Sequence, residues 1–132
     1  MIVVDSSVAL KWFREEPGSD LARGLIYEKP SAMAAPDLLL YEFCNVLALS
    51  QLSLNEIFEA LERLYQLNLQ FFIQPAAGFR RAIGLSRQFG ISVYDASFVA
   101  LAESLNIDLV TADQKLARKV NSLPFVYELG GY

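Results

Sequence analysis

Short runs of apolar residues alternate along this chain with longer segments of helical character, and this alternation restricts the fold more than any other feature. The first run, Ile2-Val3-Val4, is β-branched and stops at an acid, Asp5, as a short buried strand does. Candidate strands cover residues 2–4, 31–35, 69–73, 108–111 and 125–127, and candidate helices cover residues 7–14, 19–28, 38–50, 54–67, 76–89, 95–105 and 114–120. This order predicts an α/β fold of βαβ units, with a mainly parallel sheet covered by helices on both faces.

Several turn and capping residues support these boundaries. Pro17-Gly18 ends the first helix, Ser53 and Glu56 have the spacing of a capping box, and Gly90 stands where a helix C-terminal cap belongs. The chain has 132 residues and no repeat, linker or low-complexity segment. We therefore expect a single domain over residues 1–132.

The residue types present limit the chemistry that the chain can perform. It contains no histidine and only one cysteine, Cys44, which excludes His-based zinc sites, Ser-His-Asp triads and intramolecular disulfides. The hydrophobic fraction is 54%, but the apolar runs are shorter than the ~20 residues that span a bilayer, and the amino terminus lacks the basic start of a signal peptide. These features predict a cytoplasmic protein without a membrane segment.

Four acids occupy positions where a functional site would be expected. Asp5 follows the first strand, and Asp113 follows the strand at residues 108–111 by two positions. Asp95 and Glu42 lie within helices that are otherwise apolar, where an acid is seldom buried unless it is paired or binds a metal. Ligand sites of open parallel sheets lie beyond the carboxyl ends of the strands, so these acids predict a site for a hard cation such as Mg²⁺ or Mn²⁺.

Each acid also has a simpler interpretation when it is taken alone. Asp5 or a serine after it can cap the first helix, and Asp113 can cap the helix at 114–120. Asp95 can complement a helix dipole, and Glu42 can be a solvated residue at a helix edge. The four are specific only as a set. Net charge is −4, and these four acids account for all of it, because the remaining eleven acids balance eleven Lys and Arg.

Four segments around these acids resemble the motifs of PIN-domain toxins of the VapC type. They are residues 3–13 (VVDSSVALKWF), 36–47 (PDLLLYEFCNVL), 91–102 (ISVYDASFVALA) and 109–116 (LVTADQKL), and their order and spacing fit across essentially the whole chain. The resemblance implies a three-layer α/β/α sandwich and Mg²⁺- or Mn²⁺-dependent cleavage of RNA. It also implies frequent dimerisation, here a homodimer, and inhibition by a small antitoxin protein.

The resemblance also implies roles for individual residues. It carries over Asp5, Glu42, Asp95 and Asp113 as the catalytic, metal-binding acids. Ser7 and Thr111 match polar positions that can hydrogen-bond a ligating carboxylate or water, although Ser7 can equally be a helix cap and Thr111 an ordinary strand-end residue. Asn45, one turn after Glu42, can orient that carboxylate or simply lie at the helix surface.

The substrate and the partner protein suggest further candidate residues. Attack of water in line with the leaving oxygen predicts 5′-phosphate and 3′-hydroxyl ends. Candidate phosphate contacts are Lys11, Arg80, Arg81, Arg87, Lys115 and Arg118, although most surface cations serve solubility. Apolar residues that can line a groove for an antitoxin, or else belong to the core, are Leu10, Trp12, Phe13, Phe43, Leu47, Phe58 and Leu61.

Three other classes of protein fit the sequence less well. A phosphoacceptor receiver domain needs an acid after the third strand and a Lys after the fifth, whereas residues 69–73 are followed by Gln74-Pro75 and no Lys follows residues 125–127. A structure-specific DNA 5′-nuclease has further acids and helices, for which this chain is too short. A catalytically inert PIN-like binding module would be expected to have lost some of the four acids.

Overall fold

The computed structural model describes residues 1–28 and 32–132. Its strands are β1 (Ile2–Val4), β2 (Met33–Pro36), β3 (Leu69–Phe72), β4 (Asp108–Thr111) and β5 (Val126–Glu128). Its α-helices are α1 (Ser6–Phe13), α2 (Ser19–Tyr27), α3 (Leu38–Ala48), α4 (Leu54–Gln66), α5 (Ala76–Phe89), α6 (Val93–Leu105) and α7 (Gln114–Lys119), and a 3₁₀ turn follows at Leu129–Gly131. Across these two described ranges, no helix is both long and apolar enough to cross a membrane.

The five strands form one sheet in the order β3-β2-β1-β4-β5, and every neighbouring pair is parallel. From β1 the chain moves outward through β2 to β3, and it then returns to the other side of β1 to form β4 and β5. The carboxyl ends of β1 and β4 therefore flank the point where the strand order reverses, which is the usual ligand position in such sheets. The order differs from the 2-1-3-4-5 order of receiver domains, which argues against that class.

Helices cover both faces of the sheet. Right-handed crossovers place α1 to α4 on one face and α5 to α7 on the other, because the chain reverses its direction across the sheet between β3 and β4. The packing agrees: α1 contacts α2 and α3, whereas α5 pairs with α6, which lies across β1, β2 and β4. The α/β class and the three-layer sandwich are thereby confirmed.

No predicted end of a helix or strand differs from the structure by more than two residues. The strand predicted at 31–35 is Met33–Pro36, and residue 31 lies outside the described residues. The first helix begins at Ser6, and its cap is Asp5, whose carboxylate accepts the backbone N–H of Val8; no serine caps it. The capping box of Ser53 and Glu56 is formed as predicted.

The core lies on both sides of the central strands. Val3 and Val4 of β1 and Leu109 and Val110 of β4 are inaccessible to solvent, as expected for strands that carry helices on both faces. The largest fully buried side chains on the helices are Val8 of α1, Leu39, Phe43 and Leu47 of α3, Leu64 of α4, Leu85 of α5, and Phe98 and Val99 of α6. This packing fixes the carboxyl ends of β1 and β4 beside each other.

Two leucines of α4 provide a matched test of this core. Leu64 is fully buried, whereas Leu54 on the same helix is 68% exposed. We expect Leu64→Ala to lower the free energy of unfolding by about 2–5 kcal/mol, because the substitution leaves a cavity. Leu54→Ala should change it by less than about 0.5 kcal/mol. Urea denaturation measures both, and equal losses would contradict this placement of α4.

Candidate functional site

Asp5 lies at the centre of the site, between β1 and β4. Its side chain is only 6% exposed. Its Oδ1 atom accepts hydrogen bonds from the Ser7 hydroxyl at 2.5 Å and from the Val8 N–H at 3.3 Å, and its Oδ2 atom accepts one from the Thr111 hydroxyl. Burial, together with a smaller effect from the charge of Asp95, raises the pKa of Asp5 to about 6 against the opposing effect of these three donors.

The two hydroxyl groups connect Asp5 to the loop that follows β4. The Ser7 hydroxyl accepts the Ala112 N–H at 3.0 Å, and the Thr111 hydroxyl accepts the Asp113 N–H at 3.0 Å. Each hydroxyl thus donates to the carboxylate and accepts from the backbone, so it has a defined orientation. Ser7 and Thr111 therefore lie where the sequence predicted them, in contact with an acid of the site.

Glu42 reaches the site from α3. It is partly buried, and the Ser6 hydroxyl donates a 3.0 Å hydrogen bond to its Oε1 atom. Burial raises the pKa of Glu42, and the charge of Asp95 adds to that increase. Asn45 is exposed and makes no hydrogen bond to Glu42. Asn45 thus has the second of its two predicted positions, at the helix surface, and Ser6, which the sequence did not single out, makes the contact with Glu42.

Asp95 lies in the first turn of α6, whose N-cap is Ser92. The Ser92 hydroxyl accepts the Asp95 N–H at 3.0 Å and so fixes the backbone of that turn. Burial raises the pKa of Asp95, and the nearby charge of Asp113 raises it further. Ser92 and Lys119 act in the opposite direction.

Asp113 is the N-cap of α7. Its Oδ1 atom accepts the Leu116 N–H at 3.0 Å, which confirms the predicted capping role. Its Oδ2 atom accepts no hydrogen bond, so that oxygen is available to a ligand. Capping and ligand binding are therefore compatible in this residue.

The four acids form one electrostatic group. Asp95 raises the pKa of both Asp5 and Glu42, and Asp113 raises that of Asp95, in each case after the larger effect of burial. In the part of the chain that the structure describes, no Lys or Arg forms an ion pair with any of them. The group therefore carries uncompensated negative charge.

The carboxylates of this site fit a hard cation that keeps part of its water shell better than a cation enclosed by protein ligands alone. Among residues 1–28 and 32–132, no three acidic or cysteine side chains converge closely enough to hold a metal ion by themselves. Mg²⁺ is commonly held by one or two carboxylates, and waters and substrate phosphates complete its coordination. Free lone pairs on Asp5 Oδ2, Glu42 Oε2 and Asp113 Oδ2 suit this arrangement.

The predicted phosphate contacts have different surroundings. Lys11 is engaged with Glu16 at 3.1 Å and with the Pro17 carbonyl at 2.7 Å, and Arg81 makes a bidentate pair with Glu103 at 2.6 and 3.0 Å. Four others are exposed and form no ion pair within the described ranges: Arg80, Arg87, Lys115 and Arg118. Sequence analysis did not single out Lys119, which is the cation that lowers the pKa of Asp95.

Comparisons with known proteins identify the family of this chain. The model of the PIN domain family matches residues 2–121, so the chain belongs to the PIN-domain family. The chain is 30% identical over 127 residues to Ribonuclease VapC3 of Pyrobaculum aerophilum, in an alignment that covers 92% of this chain and 96% of that protein.

Two solved structures share the fold at low sequence identity. One is a toxin-antitoxin complex from Klebsiella pneumoniae, with a TM-score of 0.76, 13% identity and coverage of 98% of both chains. The other is VapC20 of Mycobacterium tuberculosis, a Sarcin-Ricin loop cleaving toxin, with a TM-score of 0.73, 17% identity and coverage of 89% of this chain and 94% of that one. At these identities they support the three-layer architecture.

In the absence of metal, the buried Asp5 carboxyl makes the stability of the protein decrease as the pH rises. Because the pKa of Asp5 is about 6 in the folded protein and near 3.8 otherwise, the folded state retains a proton that the unfolded chain releases. Ionisation of Asp5 therefore reduces stability as the pH rises from about 4 to about 6. Asp5→Asn removes this loss, so the variant should gain about 1–3 kcal/mol relative to wild type between pH 4 and pH 7.

Urea unfolding in EDTA at several pH values measures this difference. Asp20→Asn is the control, because Asp20 is a fully exposed acid outside the site, and its difference from wild type should not vary with pH. A difference between wild type and Asp5→Asn that stays constant, or that moves in favour of wild type as the pH rises, would contradict the burial of this carboxyl.

Proposed function

We propose that this protein is a metal-dependent endoribonuclease that acts as the toxin of a toxin–antitoxin pair. The observation that carries the proposal is the group of four acids at the switch point of the sheet, in which Asp95 interacts with the other three and no cation pairs with them in the described chain. Family membership and the similarity to a protein named as a ribonuclease support the same assignment.

The residues of the site divide into those that organise it and those that face the substrate. Asp5 is nearly buried and hydrogen-bonded through both oxygens. It therefore connects the start of α1 to the end of β4, and it offers one lone pair of Oδ2 to a ligand. Glu42 and Asp95 are partly exposed acids with raised pKa values, and these are suited to accept the proton that an attacking water loses. Asp113 keeps Oδ2 without a hydrogen bond in the described chain, so that oxygen is available to a ligand.

A divalent ion, Mg²⁺ or Mn²⁺, bound among Asp5, Glu42, Asp95 and Asp113 through one or two of these carboxylates and water, would supply Lewis-acid activation of the phosphate and of water. In the hydrolysis itself, an oxygen of water bonds to phosphorus while the bond from phosphorus to the 3′ oxygen breaks. The products are a 5′-phosphate and a 3′-hydroxyl. We place this activity in the cytoplasm, which agrees with the single cysteine, Cys44.

A groove between α1, α2 and α4 is the surface that we assign to the antitoxin. Its volume is about 700 Å³. Phe13 and the otherwise buried Trp12 line it, together with Ile26, Leu52 and Leu67, and both acids and arginines surround these apolar residues. Leu10, Phe43 and Leu47 belong to the core instead, Phe58 is 56% exposed, and Leu61 is partly buried. An apolar floor with charged edges suits an amphipathic peptide.

The outer face of α3 is the surface that we assign to a homodimer. Tyr41 and Leu49 are 73% and 79% exposed, and the intervening Cys44, Asn45 and Ala48 are exposed as well. Glu42 is the single charged residue of this helix, and it points into the site. An uncharged helix face of this kind is typical of interfaces between identical chains.

Leu49→Lys tests the homodimer. It places a charge on the proposed interface, so the wild-type mass of about twice 14.7 kDa should fall to that of one chain in size-exclusion chromatography with light scattering. Leu54→Lys is the control, because Leu54 is 68% exposed on α4, outside this face. A wild-type protein that remains a single chain at high concentration would contradict the homodimer.

Cleavage of RNA by the purified protein tests the function. We expect cleavage with Mg²⁺ or Mn²⁺, none with EDTA and none of DNA. Asp95→Asn should reduce the rate roughly 10²-fold or more, because it removes one acid from the centre of the group. Asp20→Asn is the matched control and should retain wild-type activity. An Asp95→Asn variant as active as wild type, or products that carry a 2′,3′-cyclic phosphate, would contradict the proposal.

A further inference from the structure

Lys119 connects the end of α7 to the turn that precedes Asp95. Its ammonium donates a 2.9 Å hydrogen bond to the carbonyl of Gly90, the residue with positive φ that ends α5. That turn leads through Ser92 directly into the first turn of α6, where Asp95 lies. The bond ties the Lys119 side chain to the turn that leads into α6.

The ammonium of Lys119 retains binding capacity. Of its three N–H donors, one is used by Gly90, and no acid forms an ion pair with it in the described ranges. Gly90 lies two residues before Ser92, whose hydroxyl accepts the Asp95 N–H, and Asp113 caps the helix that carries Lys119, so the bond joins the two elements that carry these acids. The space between a free ammonium and a metal-binding carboxylate is suited to a phosphate.

The other basic residues lack this combination. The charges of Lys11 and Arg81 are neutralised by Glu16 and Glu103. Lys115 lies one turn earlier on α7 and is exposed, but no hydrogen bond or ion pair within the described ranges fixes its side chain. Lys119 is thus a cation whose hydrogen bond to Gly90 ties it to the turn that leads to Asp95.

We propose that Lys119 binds a phosphate of the RNA substrate next to the one that is cleaved, and so positions the strand across Asp95. This inference rests on the proposed ribonuclease function and adds to it the residue that holds the substrate backbone. The Gly90 carbonyl has a part in it, because it fixes the ammonium in advance and reduces the entropy that is lost when RNA binds.

Steady-state cleavage of an unstructured RNA oligonucleotide that the wild type cuts provides the test. We expect Lys119→Gln to raise KM about five- to tenfold, as loss of one charge-assisted contact does, with kcat changed by less than about threefold. The slope of log KM against log salt concentration should fall by about 0.7. Lys119→Arg should restore KM to within about threefold of wild type, since it keeps the charge.

Two further measurements separate phosphate binding from a structural role. Mn²⁺ affinity without RNA and the thermal midpoint should be the same for Lys119→Gln and wild type. Lys115→Gln is the matched variant, because it removes an equal charge from the same helix. It should raise KM clearly less than Lys119→Gln does.

Equal effects of Lys115→Gln and Lys119→Gln, or an unchanged salt slope, would overturn the inference while leaving the nuclease assignment intact. A Mn²⁺ affinity that is weakened in Lys119→Gln and not restored in Lys119→Arg would show that Lys119 has a structural role only. If the wild type cleaves no RNA, the proposed function itself fails, and this inference fails with it.

Discussion

The contact between Asp5 and Thr111 is the interaction on which the site depends. It joins the residue after β1 to the last residue of β4, two strands that are neighbours in space and about a hundred residues apart in the chain. Burial of the Asp5 carboxylate costs free energy, and three hydrogen-bond donors offset part of that cost. Because Thr111 also accepts the Asp113 N–H, the same contact fixes a second acid. The position of Asp113 therefore depends on correct pairing of β1 with β4.

Local sequence signals predicted most of the fold and the acids of the site. Strand ends, capping residues and apolar helices are encoded within a few residues of chain, so Asp5, Asp113 and the box of Ser53 and Glu56 could be located from sequence alone. The contacts that were missed are those between distant segments. Ser6 reaches Glu42 only because α1 packs on α3, and Lys119 reaches Gly90 only because α7 ends beside the α5–α6 turn. Spacing within α3 suggested Asn45 as a partner of Glu42, because helical spacing describes one helix and contains no information on the helix packed against it.

The distribution of charge reconciles an acidic protein with an RNA substrate. Net charge is −4, which opposes binding of a polyanion at long range. Several basic side chains are neutralised by surface acids, as Arg81 is by Glu103, so they add little attraction. Binding must then rely on a few cations close to the acids, where the separation from a phosphate is short and screening by salt is weaker. This makes the placement of individual cations more important than their number.

The backbone compensates for only part of the repulsion among the acids. Asp5, Asp95 and Asp113 lie at or near the N-termini of α1, α6 and α7. Each helix end contributes at most about half a positive charge, and less for the short α7, so together they offset no more than roughly one and a half of the four negative charges. The raised pKa values of Asp5, Glu42 and Asp95 reflect, after burial, the charge that remains. A divalent cation supplies about the missing amount, and it does so without a protein cation that would compete with the substrate phosphate. In the described chain no Lys or Arg forms an ion pair with these acids, so their remaining charge would be left to the bound cation.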